Sequence, residues 1–144
     1  MGKRESITTS QLLNRIRKCG TFQEVMTASS EAAEPSFSML LYEMMTEKNM
    51  KAREIIGKTG IDRSYFYHIL SGKKIPGKNV VIRLALTMGC SLNETNRLLR
   101  LAGLSNLYPR LRRDAVLIYA LEQRKSMQEA NELLQEAGEE PLYQ

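Results

Sequence analysis

The residues in this sequence that are best suited to chemistry are lysines and arginines, and they concentrate in the middle of the chain. Nine of them stand against two acids between Lys48 and Arg83, whereas residues 110–144 hold five bases and seven acids. A protein that neutralises nucleic-acid phosphates needs such a concentration, because each contact releases counterions condensed on the polymer. The pattern indicates a nucleic-acid surface, and charge alone leaves an ordinary solvated basic surface as the alternative.

The sequence contains few residues suited to catalysis or metal binding. His68 is the single histidine, and the sequence contains no Gly-rich phosphate loop and no nucleophile elbow. Cys19 and Cys90 have no CxxC spacing, which is typical of a reducing compartment rather than of a structural disulfide. No apolar run reaches the ~18 residues of a membrane span. We therefore expect a cytoplasmic protein that is not an enzyme, binds no cofactor or metal, and does not contact a membrane.

The elements that must position these residues are helices, since apolar residues recur at helical spacing and strand patterns are nearly absent. Predicted helices cover about residues 11–18, 21–26, 38–48, 51–58, 63–71, 79–88, 92–103, 115–121 and 127–137. Ser10 is the predicted cap of the first helix and Asp62 that of the fifth, because their side chains can accept from first-turn amides. Gly60 supplies the positive φ that a sharp turn between two helices often requires.

A repeat of 35 residues links the middle of the chain to its end. Residues 91–108 recur as 126–143, and each copy opens on a serine, has a glutamate three residues later and reaches a glycine at the helix end. Twelve of the 31 residues from Lys78 to Tyr108 are identical to their counterparts at that offset. The repeat predicts two helical hairpins, residues 78–103 and 113–138, that stack side by side.

Apolar residues, a glycine turn, a polar cap and a Gly-Lys-x-x-Pro stretch follow one another in the middle of the chain. The members of this pattern are Ile55-Ile56, Gly60-Ile61, Asp62-Arg63-Ser64, Phe66, Ile69, Ser71-Gly72-Lys73-Lys74, Pro76, Leu84-Ala85, Gly89 and Ser91-Leu92. In order and spacing they resemble the helix-turn-helix domain of the phage repressor and Cro type, the XRE family. The resemblance implies a five-helix domain over residues 36–108. A short, partly helical N-terminal arm (1–35) precedes it, and a C-terminal helical hairpin (109–144) extends it.

The resemblance implies a sequence-specific regulator of transcription, a repressor, that binds double-stranded DNA with helix 63–71 in the major groove. By the family's pattern Arg63 and Ser64 meet base edges first, with Tyr67 and His68 further along. The fork of Arg63 can pair with guanine O6 and N7, and a phosphate contact is the alternative. Ser64 suits a backbone or water-mediated contact equally well. Tyr67 suits thymine methyls, sugars or packing on the preceding helix, and His68 suits a base, a phosphate or no role.

Further cations are implied to contact phosphates, which position a protein on DNA without reading its sequence. They lie in or beside the first helix of the motif and just after the second: Lys51, Arg53, Lys58, Lys73, Lys74 and Lys78. An ordinary surface position is the alternative for each of them. Two positions depart from the family's pattern, since Ala52 replaces a glutamine that often binds phosphate and Leu70 replaces a glutamate.

Three questions stay open in the sequence. Residues 115–121 are apolar almost all round, so this helix is either enclosed in the core or also forms a homodimer interface with the C-terminal helices. Residues 1–35 fit a loosely ordered arm, a helical clasp over the core or a partner-binding segment. The alternative function is a protein-interaction adaptor that keeps the fold without binding DNA, which the aromatic run 65–67 and Ala52 favour. The charge of +7 over residues 48–83 favours DNA.

Overall fold

The computed structural model describes residues 7–144, and every regular element in this range is an α-helix, which confirms the predicted all-α class. The helices are α1 (Thr9–Arg17), α2 (Phe22–Glu31), α3 (Phe37–Glu47), α4 (Ala52–Thr59), α5 (Arg63–Leu70), α6 (Lys78–Thr87), α7 (Leu92–Leu101), α8 (Arg112–Glu122) and α9 (Met127–Glu136). The chain divides into two compact units, Met1–Pro35 and Ser36–Gln144. The predicted segments 36–108 and 109–144 thus belong to one unit, and residues 1–6 of the predicted arm lie outside the described range.

The first unit is a pair of helices, α1 and α2, that pack against each other. α1 begins earlier than its sequence prediction, because Thr8 caps it in a capping box with Gln11. The prediction that Ser10 is the cap is therefore wrong. Ser10 has Leu13 three residues later, which cannot return a hydrogen bond to the cap amide, whereas the glutamine after Thr8 can.

α2 continues through the polar stretch in which the sequence predicts its end. The hydroxyl of Thr27 donates to the carbonyl of Gln23 at 3.1 Å, so this polar side chain bonds the helix's own backbone. Glu31, the last residue of α2, forms an ion pair with Arg15 of α1. The pair joins the two helices of the first unit at their exposed side.

One continuous apolar core joins α3 to α9 in the second unit. Each of these helices contributes side chains that are almost fully enclosed, among them Leu40, Leu41, Ile55, Phe66, Ile69, Ile82, Leu84, Leu98, Leu99, Leu117 and Leu134. Burying one such side chain contributes about 1.5–3 kcal/mol, so this core is what orders the second unit. α4 and α5 are held through it by Ile55, Phe66 and Ile69, while Ile56 stays half-buried.

Two helical hairpins, α6–α7 and α8–α9, begin their second helices in the same way. Ser91 caps α7 and Ser126 caps α9, each in a capping box with the glutamate three residues later. The turns before these caps contain corresponding residues with positive φ, Gly89 at 65° and Arg124 at 52°. The break between α8 and α9 therefore falls at the place that the repeat predicts.

Two asparagines close the hairpins with the same hydrogen bond. The Oδ1 atom of Asn96 in α7 accepts from the amide of Leu107 at 2.9 Å. In the next hairpin the Oδ1 atom of Asn131 in α9 accepts from the amide of Leu142 at 2.6 Å. Both leucines are buried, so each asparagine folds the chain that follows its helix back onto the core.

α8 packs against both α7 and α9, so it is enclosed on more than one side. Leu117, Ala120 and Leu121 are buried there. Tyr119 on the same helix is 52% exposed, and Leu111 just before it is 54% exposed. The apolar composition of this helix is thus explained mainly by the core, and one side stays accessible.

Candidate nucleic-acid interface

The turn between α4 and α5 consists of Gly60, Ile61 and Asp62. Gly60 has φ 69° and ψ 11°, a left-handed conformation in which a side chain would be strained. Ile61 is buried, and its amide donates to the hydroxyl of Thr59, which donates in turn to the carbonyl of Ile55 at 2.7 Å. The turn is therefore anchored both in the core and to the end of α4.

Arg83 of α6 fixes the same turn from behind. Its Nη2 atom donates to the carbonyl of Thr59 at 2.6 Å, and its guanidinium lies 5.3 Å from the centre of the Tyr143 ring. Its Nε atom is buried and finds no hydrogen-bond partner among residues 7–144. Burial lowers the pKa of Arg83, against an opposing effect of Tyr143. In the sequence Arg83 is only one of the nine cations of residues 48–83, and the structure gives it this internal contact.

α5 has one buried side and one exposed side. Phe66 and Ile69, three residues apart, are fully enclosed. Arg63 and Ser64 are exposed at the start of the helix, and Tyr67 is 42% exposed one turn later. Helical spacing places these three side chains together on the side opposite the core.

The exposed side of α5 begins at a well-formed helix start. Asp62 caps α5, as the sequence predicts, with its Oδ2 atom accepting from the amide of Tyr65 at 3.0 Å. His68 lies half-buried at the edge of the exposed side. The four residues predicted to reach bases, from Arg63 to His68, thus lie on one surface, and their contacts with DNA stay a prediction.

Two tyrosine rings of α5 each lie close to a cationic side chain. The guanidinium carbon of Arg63 lies 5.8 Å from the centre of the Tyr67 ring. The ammonium of Lys74, beyond the end of α5, lies 5.9 Å from the centre of the Tyr65 ring. Both distances fall within the range of attraction between a cation and an aromatic face.

Four of the nine cations in the basic segment, residues 48–83, are bonded to a carboxylate or to a backbone carbonyl. Lys48 pairs with Glu94 at 3.3 Å, and Lys58 pairs with Glu54 in its own helix at 3.3 Å. The remaining two are Arg83, described above, and Lys78. The pKa of Glu94 is lowered: burial acts to raise it, but hydrogen bonds from its capping serine and from Lys48 outweigh that effect.

Lys78 is the predicted phosphate contact that is least available. Its Nζ atom lies 2.6 Å from Asp114 of α8, a carboxylate that is only 3% exposed. The other oxygen of Asp114 accepts from the amide of Tyr108 at 2.9 Å. This pair connects the starts of α6 and α8, so the charge of Lys78 stabilises the junction of the two hairpins. No sequence pattern links positions 78 and 114.

The remaining predicted contacts are exposed and have no acidic partner within the described range: Lys51, Arg53, Arg63, Lys73 and Lys74. They lie at the start of α4, on α5 and in the loop that follows α5. The N-cap residues are Lys51 for α4 and Gly77 for α6, and in both helices no side chain accepts from the first-turn amides. Cations and open helix starts are both features that attract anions.

Comparisons of the chain with models of known protein families, with curated proteins and with solved structures found no match. No helix within residues 7–144 is long and apolar enough to cross a membrane. No group of three or more histidine, cysteine, aspartate or glutamate side chains in that range could hold a metal ion. The case for a function therefore rests on the geometry of α4, α5 and the cations around them.

Proposed function

We propose that this protein is a sequence-specific regulator of transcription, a repressor, that binds double-stranded DNA with α5 in the major groove. The observation that carries the proposal is the exposed side of α5, where Arg63, Ser64 and Tyr67 stand opposite a fully buried side. The major groove is about 12 Å wide and admits one α-helix that projects in this way. In this proposal α3 to α7 form a helix-turn-helix domain of the repressor type.

The distribution of charge supports the same proposal. Lys51 and Arg53 lie on one side of α5 in the sequence, Lys73 and Lys74 on the other, and all four are exposed without acidic partners in residues 7–144. They are suited to phosphates next to the groove that α5 would enter, where contacts set the position of the protein without reading bases. Arg63, at the start of α5, is suited to guanine because its fork matches O6 and N7.

An adaptor without DNA binding is the second candidate, and exposed apolar surface favours it. Met39 and Tyr42 on α3 are 58% and 61% exposed, and Tyr67 adds a third exposed apolar side chain. Exposed apolar residues of this kind are suited to a protein partner. DNA is preferred, because an adaptor gives no reason for a cluster of cations that the protein itself leaves without carboxylates.

The proposed regulator also includes a homodimer formed through α8. Leu111, just before α8, and Tyr119 on it are about half exposed, and α8 begins with Arg112 and ends with Glu122. Two copies of α8 packed antiparallel would bring each of these charges near the opposite charge of the other copy. Sedimentation equilibrium should give a dimer that Tyr119→Glu dissociates and Tyr42→Glu, on α3, does not. A wild-type chain that stays monomeric at high concentration contradicts the dimer.

The function is tested by selecting bound duplexes from a random pool and measuring two matched variants on the selected sequence. Arg63→Ala should weaken binding to the selected duplex by about 1–3 kcal/mol and relax preference at one position. Lys73→Ala should weaken all duplexes alike and leave the ratio of specific to non-specific affinity nearly unchanged. Circular dichroism controls for folding, since residue 63 also begins α5. No enrichment of any duplex contradicts the proposal and favours the adaptor, and loss of discrimination in Lys73→Ala alone contradicts the assignment of Arg63.

A further inference from the structure

Arg63 and Tyr67 are neighbours on the exposed side of α5, one helical turn apart. The guanidinium carbon of Arg63 lies over the ring of Tyr67, 5.8 Å from its centre, which is within the range of attraction between a cation and an aromatic face. The N–H donors of arginine point outward in the plane of the guanidinium. A ring below the guanidinium can therefore attract Arg63 while its outward donors stay available.

The ring of Tyr67 contacts one ring of the core. It meets the ring of Phe66 edge to face, with centres 6.1 Å apart and planes at 73°. Phe66 has no exposed surface, so its ring cannot move without disturbing the core. Contacts thus run from the core through Phe66 and Tyr67 to Arg63, which is otherwise exposed and without an acidic partner in residues 7–144.

A long arginine side chain in water samples many rotamers, and reading guanine requires its fork to be held in one geometry. We propose that Tyr67 is a positioning residue that pre-orients Arg63 for base reading, an inference that rests on the proposed DNA-binding function. Tyr67 acts on discrimination between sequences, because only a bidentate contact depends on the direction of the fork. The inference assigns no direct DNA contact to its hydroxyl.

The second cation–ring pair of α5 provides a contrast. Lys74 lies 5.9 Å from the Tyr65 ring, but an ammonium is a compact charge with rotating donors and gains little from a fixed direction. Removing the ring of Tyr65 should therefore leave sequence discrimination unchanged. Tyr65→Leu is the matched control, provided that circular dichroism and the urea midpoint show it folded, because Tyr65 is half-buried.

The first experiment uses the protein without DNA. A ring face shifts the NMR resonances of groups stacked on it upfield, so the δ-methylene and Nε–H signals of Arg63 report the pair directly. Tyr67→Leu should abolish this shift and Tyr67→Phe, which keeps the ring, should retain it. An Arg63 spectrum that Tyr67→Leu leaves unchanged overturns the inference, whatever the protein binds.

The second experiment measures affinity for the duplex selected from a random pool and for a mixed-sequence duplex without the site. Tyr67→Leu should lower the ratio of the two affinities about two- to fivefold, the size of an exposed cation–π attraction. Tyr67→Phe should restore the ratio, and in an Arg63→Ala background Tyr67→Leu should have no further effect.

Three further results would overturn the inference. Equal losses in Tyr67→Phe and Tyr67→Leu would assign the role to the hydroxyl, and a full loss in the Arg63→Ala background would show direct contact by Tyr67. A lost NMR shift with intact discrimination would show a pair without a function in reading. Failure of the wild-type protein to bind any duplex is distinguishable from these, because it removes the proposed function itself.

Discussion

Duplex affinity should fall steeply as salt is added. The steepness depends on how many cations are not already paired inside the protein and so can contact phosphates. Nine lysines and arginines lie between Lys48 and Arg83. Three pair with carboxylates, Arg83 turns inward to a backbone carbonyl, and Arg63 is assigned to a base. Four cations remain for phosphates. At about −0.9 per contact, they give a slope of log affinity against log salt of about −3.6 for each bound chain.

Fluorescence anisotropy of a labelled, selected duplex measures this slope. Between about 50 and about 200 mM salt, affinity should fall about 150-fold for one bound chain. Two chains bound to paired half-sites should give a slope of about −7, so the same titration also reports the stoichiometry.

Substituting either of two lysines distinguishes loss of a phosphate contact from a general effect of net charge. Lys73→Ala should flatten the slope by about 0.9, because Lys73 is exposed and has no acidic partner in residues 7–144. Lys58→Ala removes the same formal charge but from a pair with Glu54, so it should change the slope little. Equal flattening by the two variants, or a wild-type slope near zero, refutes the reasoning.

Three further results are expected. Asp114→Asn should lower the free energy of unfolding by about 1–3 kcal/mol, because it leaves the half-buried Lys78 without its carboxylate, and an unchanged urea midpoint would contradict this. Because the pKa of Glu94 is lowered, its ionised carboxylate stabilises the native state at any pH above the pKa of an ordinary carboxyl. This stabilisation is lost as the pH falls through the lowered pKa of Glu94. The destabilisation caused by Glu94→Gln should therefore shrink in urea titrations taken towards acid, and a constant difference would count against it. Burial raises the pKa of the Cys90 thiol from 9.0 to about 12, so at about pH 8 a thiol reagent should modify Cys19 in the native protein and Cys90 only after unfolding, and two fast-reacting thiols would refute this.

The parts of the fold that the sequence predicts well depend on neighbouring residues. Asp62 and Ser91 cap their helices because the groups that they bond lie three residues away, and a pattern of that length is readable. Gly60 has the positive φ expected of it for the same reason. The prediction of Ser10 is wrong because Thr8 and Ser10 are both residue types that cap helices, and only Thr8 has a glutamine three residues later that completes a capping box.

The parts that escape prediction depend on residues far apart in the chain. Lys78 meets Asp114 across 36 positions, and Arg83 meets the carbonyl of Thr59 across 24. Nothing in the local sequence distinguishes these cations from exposed ones such as Lys73. Sequence reasoning could therefore locate the basic segment, but not which of its charges the protein neutralises internally.

The turns of the two hairpins carry unequal backbone strain. Gly89 and Arg124 hold corresponding places in the repeat and share a left-handed conformation. That conformation costs a residue with a side chain about 1–2 kcal/mol and costs glycine almost nothing. One copy of the repeated segment thus has an unstrained residue at this position, and the other copy has a strained one. Arg124→Gly would remove this strain from the second hairpin and so stabilise the protein. Part of the stabilisation would be offset by the greater conformational freedom of glycine in the unfolded chain. A chain with such an internal repeat contains, in its own sequence, a template for its stabilisation.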